Sequence, residues 1–202
     1  MSEAALFKSQ LGTCWQQVHP DIQARFDADP LPGQPIQYDG TMTRVTCSRF
    51  GALLAWLSGL FTTGALCPWR GTAIPAFITV YKEPGCEDIL KLRRYEFPGG
   101  RSYLFRSRMH ATAQGELLEF VGGGFGMTVK VQERDGALFF TDGGYFIGTK
   151  SWQIRLPALL SPGKVALTHA NLSRNRFSIS IRITHPWFGV LYEQEGEFER
   201  QK

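Results

Sequence analysis

The chain has 202 residues, of which 43% are hydrophobic and 20% charged, so it can build a packed core and is not a disordered segment. Its 4 cysteines, 22 glycines and 11 prolines do not fit a disulfide-stapled mini-protein, a collagen or a coiled coil. The formal net charge of +4 is only mildly basic. We therefore expect no nucleic-acid partner.

The first predicted elements are helices. Apolar residues recur at helical spacing, at Phe7, Leu11, Cys14, Trp15 and Val18. Pro20 is placed to open a second short helix that runs to Phe26, and a proline-rich loop over 29–35 follows. We expect a single domain over 1–202, with a helical segment at 1–28 and a β-barrel with a cover helix at 35–200.

The start of the chain lacks the basic stretch and apolar run of a secretory signal. The cysteines are widely spaced and form no C-x-x-C pair. We therefore expect reduced thiols and a cytoplasmic protein.

An uncharged stretch runs from Phe50 to Trp69, flanked by Arg49 and Arg70. Only Phe50–Phe61 is densely apolar, which is about a dozen residues where a bilayer span needs about 20. This length favours a cover helix near 49–61 over a membrane span. Contact of Phe50–Phe61 with a membrane surface remains open as an alternative.

After a strand at Ile36–Cys47 and the cover helix, the chain is predicted to form short strands separated by turn residues. The runs are Phe77–Lys82, Ile89–Phe97, Tyr103–Ala111, Leu117–Gly122, Met127–Arg134, Ala137–Phe146, Ser151–Leu156, Lys164–Asn171, Arg176–Thr184 and Val190–Arg200. Such a long antiparallel meander avoids open edges most simply by closing. We therefore expect a mainly β fold, with about ten strands closing into a lipocalin/calycin-like β-barrel.

Polar residues interrupt the apolar rows of several predicted strands. Six of them are expected to point into the barrel and to orient a ligand there: Arg94, Glu96, Ser107, His169, Tyr192 and Gln194. The alternative is that they lie at the barrel ends or pair with one another. On the opposite face of two strands, Lys91, Arg93, Arg106 and Arg108 are expected to form a basic outer patch.

Motifs for metal or cofactor chemistry are absent from the sequence. The four histidines are scattered and no H-E-x-x-H or paired-cysteine pattern occurs, so we expect no metal site. Gly122–Gly126 does not fit the G-x-G-x-x-G pattern and precedes a strand, which indicates a sharp turn and not a phosphate-binding loop. We expect no cofactor and predict no catalytic residue.

Three stretches of the chain resemble one family. Near the start the pattern is W-x-x-[LV]-H-P-x-x-x-x-R-F over Trp15–Phe26, and near the end it is [HN]-P-x-[LF]-G followed by Y-x-x-x-G-x-F over His185–Phe198. Between them lie Arg94, Phe105, Met109, Gly115 and Phe120-Val121-Gly122. Together they resemble the bacterial domain-of-unknown-function family 4166, over about Phe7 to Phe198. Since that family has no established activity, the resemblance implies no catalytic residues.

The sequence favours a non-enzymatic domain that binds a hydrophobic or amphipathic, lipid-like small molecule in the barrel cavity. One alternative is a small enzyme, an isomerase, lyase or hydrolase, in which His169 with Glu96 or Tyr192 transfers a proton. Another is an accessory domain whose partner is a protein. The oligomeric state is left open.

Overall fold

A computed structural model describes residues 3–62, 66–112 and 114–201 of the chain. The helices are α1 (Glu3–Leu11), α2 (Pro20–Asp27) and α3 (Arg49–Ser58), with 3₁₀ turns at Gly12–Gln17 and Ala158–Leu160. The strands are β1 (Ile36–Cys47), β2 (Gly71–Tyr81), β3 (Ile89–Phe97), β4 (Arg101–Ala111), β5 (Leu117–Gly122), β6 (Phe125–Arg134), β7 (Ala137–Gly148), β8 (Gln153–Arg155), β9 (Lys164–Ser173), β10 (Arg176–His185) and β11 (Gly189–Arg200).

Ten of these strands form a closed antiparallel barrel. The order β6-β5-β4-β3-β2-β1-β11-β10-β9-β7 runs around the wall, and β6 pairs with β7 to close it. The short β8 pairs with the last residues of β7, beyond the part of β7 that pairs with β9. The expected mainly β barrel with N-terminal helices is thus confirmed.

The last hairpin, β10 with β11, pairs its charged rows on the outer face and its apolar rows inside the barrel. Arg182 lies opposite Glu193 on the outer face and donates to its carboxylate over 2.7 Å, while Phe177 lies opposite Phe198 inside. Because neighbouring residues on a strand face opposite sides, a slip of one residue would turn the glutamates inward.

Helices α1 and α2 close one end of the barrel. Phe7 is fully buried, and its ring meets Phe26 and Phe140 edge to face at 5.0 and 5.4 Å. His19 Nδ1 accepts from the Asp21 N–H at 3.2 Å and so caps α2. These helices bury aromatic side chains against the strands.

Gln10 of α1 completes the edge of β6. Pairing of β5 with β6 ends at Leu117 opposite Val129. There the Gln10 amide donates to the Val129 carbonyl at 3.2 Å and accepts from the Val131 N–H at 3.0 Å. A side chain thus satisfies backbone groups that a longer neighbouring strand would otherwise pair.

Helix α3 lies at the other end, where β11 begins. Ser48 caps it by accepting from the Gly51 N–H at 3.0 Å. A Cβ on Gly51 would lie 2.4 Å from the Leu191 carbonyl oxygen, so only glycine fits this close approach. Gly51 and Ala55 are buried, whereas Leu53 and Trp56 are exposed.

The structure shortens one predicted element and lengthens another. Helix α3 ends at Ser58 and not at Phe61. No helix within the described ranges is long and apolar enough to cross a bilayer, although residues 63–65 of the uncharged stretch lie outside those ranges. Strand β2 begins at Gly71, six residues before the predicted start at Phe77, and it contains Pro75. Pro75 is tolerated because β3 pairs only with Ala76 and later residues of β2, which leaves Pro75 on an edge.

Strand β4 also has an edge along which part of the strand is unpaired. The short β5 pairs only with Arg108–Ala111. In the described part of the chain, residues 101–107 therefore have β3 as a neighbour on one side and no strand on the other.

Candidate functional site

The barrel encloses a cavity of about 110 Å³. Its wall is mostly apolar, and its charged lining residues are Glu3, Arg25, Lys91, Arg93 and Glu119. Drug-sized ligands occupy pockets of roughly 300–1,000 Å³. The interior is therefore much smaller than a pocket for a whole long-chain lipid.

Strand β3 has the opposite orientation to the one expected. Arg94 and Glu96 lie on the outer face, 51% and 39% exposed, and pair with each other at 3.0 Å. The prediction that they point into the barrel is wrong. Lys91 and Arg93, expected in an outer basic patch, line the cavity instead. Arg106 and Arg108 of that patch line a cleft that we describe below.

The two inner cations of β3 have different surroundings. Lys91 pairs with the buried Glu3 of α1. Arg93 donates to the Ser107 hydroxyl at 3.3 Å and lies 5.0 Å above the Phe105 ring. Among the described residues, no carboxylate forms an ion pair with Arg93, and the two contacts just named are with neutral groups.

His169 is buried at the end of the barrel that helices α1 and α2 close. Its ring stacks on Phe177 at 4.6 Å, and its Nε2 lies 2.8 Å from Nη1 of Arg25. Since a guanidinium only donates, Nε2 accepts and the neutral ring carries its proton on Nδ1. Burial, with the charges of Arg25 and Lys91, holds the pKa of His169 well below its ordinary value of 6.5.

Arg25 is the second inner guanidinium. Besides His169 it contacts Asn171 at 3.4 Å and the Phe177 ring at 4.3 Å. Burial lowers its pKa, although a guanidinium stays protonated at any physiological pH. As with Arg93, no carboxylate of the described chain forms an ion pair with it.

Tyr192 and Gln194 are buried together on β11. The Tyr192 hydroxyl donates to Gln194 Oε1 at 2.6 Å, and Gln194 Nε2 donates to the Tyr95 hydroxyl at 3.5 Å. Burial raises the pKa of both phenols. This chain of neutral groups satisfies itself, as the alternative of internal pairing predicts, and neither tyrosine is in the cavity lining.

The proton-transfer pairs considered for the enzyme alternative are not formed. Glu96 lies outside the barrel, and the Tyr192 hydroxyl is hydrogen-bonded to Gln194 and not to His169. His185, another of the four histidines, accepts from the Trp187 N–H through Nδ1 at 3.2 Å and caps a turn. Within the described ranges, no three metal-ligating side chains cluster.

A second pocket, which no sequence pattern indicated, lies on the outer surface. It measures about 410 Å³ and is lined by Leu90, Arg106, Ser107, Arg108, Phe120, Gly122, Gly148, Thr149 and Lys150. We call it the basic cleft, because three of its described lining side chains are cationic and none of them is acidic.

A buried carboxylate anchors the basic cleft. Asp88 lies 2.6 Å from Lys150 Nζ and 2.8 Å from His110 Nδ1, with Arg108 Nε at 3.8 Å. Burial opposes ionisation of Asp88, but the hydrogen bonds and charges of Lys150 and His110 outweigh it and lower the pKa. These contacts come from segments far apart in sequence, so no local motif could have indicated them.

The orientation of β3 is only weakly marked in its sequence. The inward row contains Ile89, Tyr95 and Phe97, three apolar residues, while the outward row contains two, Leu90 and Leu92. Leu90 disguises the pattern because it is buried on the outer face, beneath the basic cleft.

Comparison with known proteins gives a family. No curated protein matches the chain at a significant level. The model of the family described as Domain of unknown function (DUF4166) matches residues 18–198, which is most of the chain. The chain therefore belongs to the DUF4166 family, as its sequence motifs indicate.

Proposed function

We propose that this domain is a non-enzymatic, lipocalin-like binding protein whose barrel interior takes a small amphipathic acid. The observation that carries the proposal is the pair of inner guanidiniums, Arg25 and Arg93, which contact neutral groups inside a mostly apolar cavity. Both guanidiniums are half-buried, and the charge of Asp21 acts on Arg25 only without an ion pair. A partly desolvated cation gains from a direct counter-charge, and a ligand carboxylate supplies one in the geometry that arginine prefers.

The charges of the lining favour an anion over a neutral ligand. Glu3 forms an ion pair with Lys91. Among the described lining residues, one further acidic side chain, Glu119, then faces the two positive charges of Arg25 and Arg93. An acidic head group would balance this excess. The surrounding apolar side chains, such as Ile78, Val80 and Leu167, would contact a hydrocarbon part.

The cavity volume limits the hydrocarbon part. An engineered cavity of about 150 Å³ holds benzene, so about 110 Å³ suits a short chain or a single small ring. A fatty acid or isoprenoid of full length requires that α1 and α2 move, since Glu3, Arg25 and Phe26 of these helices form part of the wall. We therefore narrow the ligand class to short amphipathic acids.

The cytoplasm is the proposed compartment. The four cysteines are free thiols, two of them buried, which supports a reducing environment. Burial raises the pKa of Cys67 to about 12, so this thiol is unreactive at neutral pH.

The test is calorimetric titration with a series of straight-chain carboxylic acids and the alcohols of the same lengths. We expect the acids to bind and the alcohols to bind at least tenfold more weakly, because only the acids can pair with an arginine. Affinity should rise with chain length and then stop rising once the cavity is full. Native mass spectrometry of freshly purified protein would reveal a ligand that co-purifies.

Arg93→Gln tests the residue assignment, and Arg94→Gln is its matched control. The two arginines are neighbours on β3, but Arg93 lines the cavity and Arg94 faces outward. Arg93→Gln should abolish the preference for acids, while Arg94→Gln should keep it. Equal binding of acids and alcohols, or an equal loss in both variants, would rule out the proposal.

A further inference from the structure

The exposed apolar side chains of the protein are concentrated in four stretches of chain. Twelve of the fifteen large hydrophobic residues that are exposed in the described part of the chain lie there: Leu53, Trp56, Leu57, Leu60, Phe61, Trp152, Ile154, Leu159, Leu160, Trp187, Phe188 and Val190. We call this set the apolar band. Monomeric soluble proteins rarely expose so much contiguous apolar surface without a function for it.

Helix α3 contributes an inverted amphipathic helix. Its exposed large residues recur at i, i+3, i+4, i+7 and i+8 from Leu53, the spacing of one helical face and of the turn after it. Gly51 and Ala55 are small residues on the buried side. The helix therefore turns its bulkiest apolar side chains toward water.

Direct contacts join the segments of the band into one surface. Phe50 stacks on Phe188 with ring centroids 3.6 Å apart, which links α3 to the β10–β11 turn. At the other end of α3, a Cβ on Gly123 would lie within 2 Å of the Phe61 carbonyl, so the β5–β6 turn touches the chain after the helix. Gly123 has a φ of +57°, which also favours glycine.

Further contacts join these segments to β7 and β8. The Gly148 N–H donates to the Gly124 carbonyl at 2.8 Å, joining the β5–β6 turn to the chain that carries Trp152. The Tyr145 hydroxyl donates to the Gly163 carbonyl at 2.8 Å, which fixes the segment that carries Leu159 and Leu160. The segments that carry the apolar band are thus neighbours in space, although they are dispersed in sequence.

The chain segments that carry the band contain basic residues, of which Lys150 and Lys164 are paired with Asp88 and Asp142 from other strands and loops. Residues 49–62, 120–127, 148–164 and 185–192 contain Arg49, Lys150, Arg155 and Lys164 and no aspartate or glutamate. Arg49 and Arg155 are exposed, and no described carboxylate forms an ion pair with either. The basic cleft adjoins the band, because Gly122, Gly148 and Lys150 belong to the same segments. It adds Arg106, and also Arg108, which lies beside Asp88 and Glu83.

We propose that the apolar band docks on the surface of an anionic lipid bilayer, with the basic cleft facing the phosphates of the headgroups. Tryptophans and leucines beside basic residues are the composition that lies at a membrane interface. Each basic residue near the surface adds attraction to anionic lipid. A second copy of the chain would instead bring two basic faces together, which disfavours self-association through this surface.

The test is co-sedimentation of the whole chain with two kinds of vesicle, pure phosphatidylcholine and phosphatidylcholine mixed with phosphatidylglycerol. We expect binding to the mixed vesicles, weakening as salt is added. Three of the five tryptophans, Trp56, Trp152 and Trp187, are in the band. Binding should therefore shift tryptophan emission to shorter wavelength.

Two pairs of substitutions probe the apolar contribution at distant points of the band. Trp56→Ser with Leu60→Ser removes the α3 contribution, and Leu159→Ser with Leu160→Ser removes that of the 3₁₀ turn. Each pair of substitutions should weaken partitioning of the protein to the mixed vesicles about tenfold or more, because fewer apolar side chains are then buried in the lipid. Leu172→Ser, an exposed leucine outside the band, is the matched control and should bind like the parent.

Arg106→Gln and Arg155→Gln probe the charges, and Arg174→Gln, in the turn between β9 and β10, is their control. Each of the first two should weaken binding to anionic vesicles roughly fivefold. Free inorganic phosphate at equal charge should not mimic the vesicles in shifting tryptophan emission.

Three results would overturn the proposal. One is no sedimentation with anionic vesicles above that with phosphatidylcholine alone. Another is band variants that bind like Leu172→Ser. The third is a concentration-dependent dimer that the same band variants dissolve, which would assign the surface to a second copy of the chain. Far-ultraviolet circular dichroism checks that every variant is folded.

Discussion

The two ends of the barrel use helices in opposite ways. At the end closed by α1 and α2, large aromatic side chains such as Phe7 point inward and polar groups such as Gln10 satisfy the strands. At the α3 end, small residues such as Gly51 are packed against the barrel, and large apolar side chains such as that of Trp56 are exposed to water. The difference indicates that the first end stabilises the fold and that the second is available for an interaction.

The largest expected effect is at the α1–α2 end. Phe7→Ala should lower the free energy of unfolding by about 3–5 kcal/mol, because it removes a fully buried ring that contacts Phe26 and Phe140. Chemical denaturation measures it. Phe61→Ala, at the α3 end and 63% exposed, is the control and should change stability by no more than about 0.5 kcal/mol. Similar losses in both variants would remove the contrast between the ends.

A smaller effect is expected where α1 completes the sheet. Gln10→Ala should cost about 1–3 kcal/mol of stability, since it leaves the Val129 carbonyl and the Val131 N–H without their partner. Amide hydrogen exchange should become faster at Val131 in particular. Unchanged exchange there would mean that the Gln10 amide does not hold the edge of β6.

The α1–α2 end should also give the protein a pH-dependent stability. Below pH 6.5 the unfolded chain protonates His169, whereas the folded chain does not until a much lower pH, so stability falls as the pH is lowered. The slope from this residue reaches about 1.4 kcal/mol per pH unit. His169→Asn should remove it.

Urea denaturation of parent and variant between about pH 7 and about pH 5 measures that difference. The depressed pKa of Asp88 acts on stability only below its ordinary value of 3.8, so it does not disturb this window. Parallel pH profiles for parent and His169→Asn would show that the histidine titrates equally in both states.

The smallest effect on stability is expected in the apolar band. Trp187→Ser should change the free energy of unfolding by no more than about 0.5 kcal/mol, because the side chain is 67% exposed. A loss of several kcal/mol would show that the band is part of the core and not a free surface.

The wall of the barrel was predictable because its signals are local. Alternation along β10 and β11 fixes which residues face inward, and turn residues separate the strands. Pairing across the barrel and its closure through β6 and β7 follow from the need to avoid open edges. The family resemblance rests on the same order of motifs.

The site was less predictable because it depends on contacts between distant segments. His169 and Ser107 are buried, but Arg94 and Glu96 were assigned to the wrong face of β3. Both faces of that strand carry apolar and charged residues, so alternation alone does not decide. Arg25 was missed because its role depends on how α2 packs against β9, which no local pattern encodes.

The unpaired side of β4 has a consequence for solubility. An open strand edge is a template on which another chain can add a strand and start aggregation. Residues 101–107 present such an edge, and Arg101 and Arg106 place positive charge along it. Two molecules that approached edge to edge would bring these charges together, so the arginines oppose strand addition at this edge whatever ligand the protein carries.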